Sequence, residues 1–457
     1  MVFSSIYFVF VFLPLTLAAY FLIPKKGKNI VLIAAGLLFY AWGKPSGLVY
    51  LLFSVLFNYL TGIEAGALKK KGSLSAMKAV LIAAAVADVV LLAIFKYVSG
   101  KMPLGISFYT FTVLSYLFDL LQGRCEAQVN PLHFLLYVTF FPKVTSGPIV
   151  QYADMEKELA ERSTSKAQFF SGFHLFLVGL FKKALLADSL GAAYAAVTGP
   201  ASASMSVLSA WLGMIFYSLQ LYFDFSGYSD MAIGLAEIFG FHFAPNFDHP
   251  YLSKSIAEFW RRWHISLGNW FKQYVYFPMG GSRVANGRIF LNLLTVWVLT
   301  GIWHGNTLNF LFWGLYHGAF VMLERFVIGK KADAFPDAAR IVVTTLLAFI
   351  GWVFFFSPSL SAAFAYVGTL FGVGASGFAD NTALFALRGN LVLLVIAFVG
   401  CTNLPARLYR KCLLDNEFGL SERAVTVISC AAALFLMVSA TAAMLSSTYS
   451  SFLYFKF

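Results

Sequence analysis

Residues 288–326 read RIFLNLLTVWVLTGIWHGNTLNFLFWGLYHGAFVMLERF, two apolar runs divided by a short polar break. The first run, Ile289 to Trp303, is 15 residues long. As a helix it measures about 22 Å, at about 1.5 Å per residue, against about 30 Å of hydrocarbon in a bilayer. Such a helix ends inside the membrane. There the stretch Gly301-Ile302-Trp303-His304-Gly305-Asn306 is expected to put an imidazole in a buried bend facing a cavity, between two glycines that permit close approach. His304 is therefore a candidate general base. His317, within the second run, reads more simply as a partner in an interhelical hydrogen bond.

The same pattern extends outward through the chain. Of its 457 residues 60% are apolar, 18% aromatic and 12% charged, whereas soluble domains carry about a quarter charged residues. That composition excludes a soluble enzyme, a nucleic-acid binder and a disordered chain. Apolar runs at 6–23, 30–43, 47–67, 78–98, 104–121, 131–145, 168–187, 203–225, 288–302, 307–326, 339–357, 390–406 and 424–446 predict an all-α polytopic membrane protein. They amount to roughly 10–13 transmembrane or re-entrant helices in a single integral domain over residues 1–457.

The 33 basic residues exceed the 21 acidic ones, giving +12. The bases sit in short clusters between apolar runs, the distribution that orients membrane helices. Lys25, Lys26 and Lys28, then Lys69–Lys71, Lys330 with Lys331, and Arg407, Arg410, Lys411 and Arg423 are expected on the cytoplasmic side. Both termini then fall outside. Residues 1–24 read as a retained first span, since no base precedes Lys25. Cys125, Cys401, Cys412 and Cys430 have neither disulfide nor metal-type spacing, and no metal is expected.

Residues 250–288 break the pattern. Ile256, Phe259, Trp260, Trp263, Leu267, Trp270, Phe271 and Tyr274 share one face of a helix, with Arg261 and Lys272 opposite. Ser255 and Glu258 fit a capping box, and Pro278-Met279-Gly280-Gly281 ends the run. The pattern predicts one amphipathic helix anchored at the interface by its aromatics. His264, at the border of the stripe, has no part in such anchoring.

Asp224 and Asp230 lie in an apolar region and need partners, for which Arg261, Arg262 or an imidazole would serve. The run Phe141 to Pro148 interrupts a helix, and Ser146 within it is a candidate for lining a cavity. No G-x-S-x-G, HExxH, Walker A or dinucleotide fingerprint is present.

EFWRRWHISLGNWF (258–271), LTGIWHG (299–305), YFDFSGYSDMAIG (222–234) and FLYFKF (452–457) together closely resemble the membrane-bound O-acyltransferase superfamily, and within it the bacterial alginate O-acetylation branch. The resemblance implies helices around a central funnel, with His304 as catalytic histidine and His264 as a second functional one. Tyr454, in an extracytoplasmic tail 446–457, would be an acyl acceptor, and Trp260, Arg261, Arg262, Trp303, Asn306 and Ser146 would contact substrates. It implies no bound cofactor, the donor being a thioester of acetyl-CoA or an acyl carrier protein. The implied partners are an extracytoplasmic SGNH-hydrolase-like acetyltransferase, a cell-surface polysaccharide and membrane lipid, all at a bacterial cytoplasmic membrane. Acetyl transfer is favoured over D-alanyl transfer to teichoic acid. A transporter of lipid-linked sugar or ions is the alternative from another class; it would account for buried Asp88, Asp224 and Asp230, but no paired repeat is present.

Overall fold

The computed structural model describes residues 1–42, 45–100, 102–199 and 205–446, and among these every regular element is a helix. Six are long and apolar enough to cross a membrane: Gly47–Lys70, Leu74–Val98, Lys166–Thr198, Leu308–Ile328, Asp337–Phe356 and Glu422–Ser446. The pair Asn381–Gly389 and Leu391–Gly400, bent by 59°, makes a seventh if taken together. The chain is thus an all-α polytopic membrane protein. The other apolar runs also fold as helices, but shorter or more polar ones. Lys28–Ala41 has 14 residues, Pro131–Thr139 stops at Phe140, and Val207–Ile238 carries Asp224 and Asp230.

Two compact units are recognisable, Met1–Gly179 with Tyr228–Pro245, and Leu180–Gly227 with Asn246–Phe457. In the first, Phe3, Phe8, Phe12, Phe39 and Phe141 form a ring cluster whose members are all 7% exposed or less. Tyr20 donates to the Phe239 carbonyl at 2.8 Å, which ties the end of the first helix to the chain after residue 238.

The second unit is built around the hairpin of Asn286–His304 and Leu308–Leu323. Its two helices approach closely because glycines face each other's backbone. A Cβ on Gly314 would lie 2.6 Å from the Trp297 carbonyl, and one on Gly301 would lie 2.8 Å from that of Phe310. Asp337–Phe356 packs beside the hairpin, where Trp352 donates to the Tyr251 hydroxyl at 3.2 Å and Tyr251 donates to the Ser218 carbonyl at 2.8 Å.

Asp224 is paired with a lysine, not with the arginines or imidazole expected. Lys183 Nζ lies 2.8 Å from Asp224 and 2.6 Å from Asp188. A π-helical stretch over Lys182–Ala187 makes this possible, because its i to i+5 spacing stacks Asp188 one turn above Lys183. Asp88 accepts from the Asn58 amide at 3.2 Å.

Candidate functional site

The amphipathic stripe contains the right residues, but the single helix does not form. The chain makes Ile256–Arg262, breaks, and resumes as Ile265–Phe271. Ser255 caps the first piece by accepting from the Glu258 N–H at 3.0 Å, whereas the Glu258 carboxylate accepts from Lys254 N–H at 2.9 Å rather than closing the box. Trp263 is extended and His264 is left-handed, with φ 45° and ψ 54°. The segment Asn246–Asp248 takes over the backbone bonds lost at the break. Asp248 N–H donates to the Arg262 carbonyl and Ile265 N–H to the Asn246 carbonyl, both at 2.9 Å. Nor do the aromatics face lipid. Phe259, Trp263, Trp270 and Phe271 are all 5% exposed or less, so packing within the protein replaces the expected anchoring.

Asn246 also orients His264. Its Oδ1 accepts from the Ser266 N–H at 3.1 Å and lies 3.2 Å from His264 Nδ1. An oxygen already accepting from a backbone amide pairs best with a protonated Nδ1, which leaves Nε2 as the basic nitrogen. The imidazole meets the Phe225 ring edge-on at 4.6 Å and is 2% exposed. Burial pushes its pKa from 6.5 down to about 3. It is neutral at physiological pH.

His264 lines one cavity, and a second shares Trp260, Gly268, Lys272, Leu293, Val296 and Trp297 with it as wall. The first, about 280 Å³, is apolar and is lined by His264, Trp263, Leu267, Phe271 and Thr300 as well. The second, about 710 Å³, is more polar than the first and has Arg261, Lys272, Arg325, Arg340 and Glu324 in its lining. Glu324 accepts from the Ile256 and Ala257 N–H groups, and Arg340 is paired with Asp333 at 3.1 Å. Among the described residues Arg261, Lys272 and Arg325 form no ion pair, which leaves three cations to meet an anion. An apolar cavity with an imidazole in its wall thus adjoins a larger one that carries unpaired cations.

His304 ends its helix at the predicted bend and is 3% exposed. Trp303, Trp313 and Phe355 surround it, with ring centroids 4.6, 4.7 and 5.3 Å away. It is not among the residues lining either cavity, whose nearest member on its helix is Thr300. Rings from both arms of the hairpin and from the next helix close around it. An aromatic series connects the two histidines: His304 meets Trp313, Trp313 lies 5.4 Å from Trp260, and Trp260 shares the His264 cavity.

Of the other residues singled out, Trp260 and Arg261 line the cavities, whereas Arg262 is held by Glu258 at 2.7 Å. Trp303 packs on His304, and Asn306 is exposed in the turn. Ser146 is fully buried in the first unit. Tyr454 lies outside the described residues. Among the described residues His317 forms no interhelical hydrogen bond: neither ring nitrogen has a partner there, and Trp260, Tyr316 and Trp313 pack within 5.0, 5.1 and 5.3 Å. Sequence reasoning missed Asn246, Arg325, Trp297 and Thr300. The last two were within reach, since positions 297, 300 and 304 share one helix face.

Residues 71–367 match the membrane-bound O-acyltransferase family. The chain is 36% identical over 430 residues to "Probable alginate O-acetylase AlgI" of Pseudomonas aeruginosa, covering 88% of this chain and 81% of that protein. It is 30% identical to "Peptidoglycan O-acetyltransferase" of Helicobacter pylori over 518 aligned positions, covering 100% and 98%. With "Teichoic acid D-alanyltransferase" of Bacillus subtilis the identity is 32%, over 54% of this chain and 65% of that one.

Proposed function

The chain belongs to the membrane-bound O-acyltransferase family and is an O-acyltransferase, and from that premise we propose that it moves an acetyl group from a cytoplasmic thioester to a hydroxyl destined for a cell-surface polysaccharide. Family membership decides for an enzyme over a transporter. The observation that carries the finer reading is the apolar cavity lined by His264 beside the one lined by Arg261, Lys272 and Arg325. The donor's phosphates meet Arg261, Lys272 and Arg325, and its pantetheine-like arm runs along Trp260 and Trp297 toward His264.

His304, one turn beyond Thr300 of the His264 cavity, serves as base on the acceptor once the Trp303, Trp313 and Phe355 rings that enclose it part to connect it with that cavity. The hydroxyl oxygen attacks the thioester carbonyl while its proton passes to the imidazole; the C–S bond breaks, and the departing thiolate takes that proton. The acceptor is Tyr454 or a partner's hydroxyl, from which an extracytoplasmic SGNH-hydrolase-like protein with a serine nucleophile passes the acyl group on. Acetyl is favoured because similarity to O-acetylating relatives extends over nearly the whole chain, against about half for the D-alanyl relative. This reading puts the chain in a bacterial cytoplasmic membrane with both termini outside, as the clusters of basic residues between apolar runs favour.

The test uses membranes containing the full chain, isotopically labelled acetyl-CoA or acetylated carrier protein, and mass spectrometry of the polymer and of the peptide containing Tyr454. His304→Ala abolishes label transfer. Arg261→Ala with Arg325→Ala raises the donor concentration needed for half-maximal rate by about tenfold or more. Wild-type acetylation in His304→Ala removes the proposal.

A further inference from the structure

The first unit holds a second basic cavity, which the acyl-transfer reading does not use. It encloses about 370 Å³ and is lined by Lys25, Lys26, Lys28, Asn29, His133 and Arg162, with no aspartate or glutamate. Arg162 is fixed by neutral acceptors only. Its Nε donates to the Phe239 carbonyl at 3.0 Å, and Nη1 donates to Asn29 Oδ1 at 2.7 Å and to the Glu158 carbonyl at 3.2 Å. The guanidinium stacks 4.3 Å over Phe241, and Lys28 lies 4.6 Å over Tyr20. Asn29 completes the frame by donating to the Leu159 carbonyl at 3.0 Å. The Glu158 carboxylate pairs with His242 at 2.6 Å.

Four permanent cations thus border one cavity with no ion pair among the described residues. The helix Lys28–Ala41 also begins here. Its N-cap is Gly27, no side chain caps it, and its first turn contains no acid. Surface lysines tolerate such crowding when solvated, but two of these four cations are held in place by aromatic faces and Arg162 also by carbonyls. A dianionic or monoanionic oxygen ligand at a helix start relieves the repulsion and supplies acceptors for lysine and backbone donors together.

We propose that this cavity binds the phosphate group of a phosphate ester, separately from acyl transfer. Two sources share that chemistry, an anionic phospholipid headgroup and a soluble phosphate, and the experiment distinguishes them. The full chain in a neutral maltoside detergent is titrated with dioleoylphosphatidylglycerol in one arm and inorganic phosphate in the other, following thermal unfolding. Saturable stabilisation in the lipid arm alone identifies a headgroup; stabilisation by phosphate identifies a soluble ligand.

The variant Lys25→Gln/Lys26→Gln/Lys28→Gln weakens the effective arm by about tenfold or more. Asn29→Asp, nearly isosteric and still able to accept from Arg162, does the same by placing a carboxylate in the cavity. Lys69→Gln/Lys70→Gln/Lys71→Gln removes equal charge from the end of Gly47–Lys70 and keeps wild-type affinity within about twofold. Absence of stabilisation of the wild type in both arms overturns the proposal. So does an equal loss in the Lys69–Lys71 variant, or wild-type binding by Asn29→Asp.

Discussion

His264 occupies a left-handed backbone conformation that non-glycine residues seldom adopt, histidine less rarely than most. Its position therefore rests on its surroundings, above all on Asn246. Asn246→Ala removes an acceptor for Ser266 and the partner of Nδ1. Thermal unfolding of that variant is expected to show a loss of about 1 kcal/mol, together with lower acyl transfer at saturating donor. A pH effect follows from the same residue. The folded imidazole titrates at about 3 and the unfolded one at 6.5, so between these values the unfolded chain binds the extra proton. This contribution to stability is full above pH 6.5 and is lost progressively as pH falls toward 3. His264→Gln flattens the acid limb of a melting-temperature profile over that window; an unchanged limb shows that His264 does not set it.

Among the elements, the hairpin of Asn286–His304 and Leu308–Leu323 is the most constrained. A Cβ on Gly305 would overlap the Phe310 ring, so Gly305→Ala displaces the turn that ends at His304. The expected cost is about 1–3 kcal/mol in detergent unfolding, with a larger loss of activity than of fold. The π-helical stretch at Lys182–Ala187 makes a second prediction. Lys183→Met leaves Asp188 and Asp224 buried without their cation and destabilises by about 3–5 kcal/mol. Adding Asp188→Asn and Asp224→Asn recovers much of the loss. The stripe from Ile256 to Tyr274 was legible because burial of one face imposes its period. The break at His264 was not, because the bonds that compensate it come from Asn246–Asp248, on the far side of a 3-10 turn and outside any local window.

For the molecule as a whole, lipid is a structural component. Only 6% of the apolar window of Glu422–Ser446 is buried by protein, and Phe435 and Leu434 are 63% and 65% exposed. Alkaline carbonate washing is expected to leave the chain in the membrane pellet, and a supernatant pool would contradict that. Composition and the spacing of apolar runs determined the solvent, the helical class and the approximate ends of most helices, because each of these depends on hydrophobicity summed along the chain. The motifs around His264 and His304 likewise named the family from local residues. Tertiary structure alone decided that Lys183 neutralises Asp224, that His317 packs among tryptophans, and that His264 lines a cavity while His304 is enclosed by rings. Those outcomes depend on which side chains meet across elements distant in sequence, and close packing settles that only when the whole chain has folded.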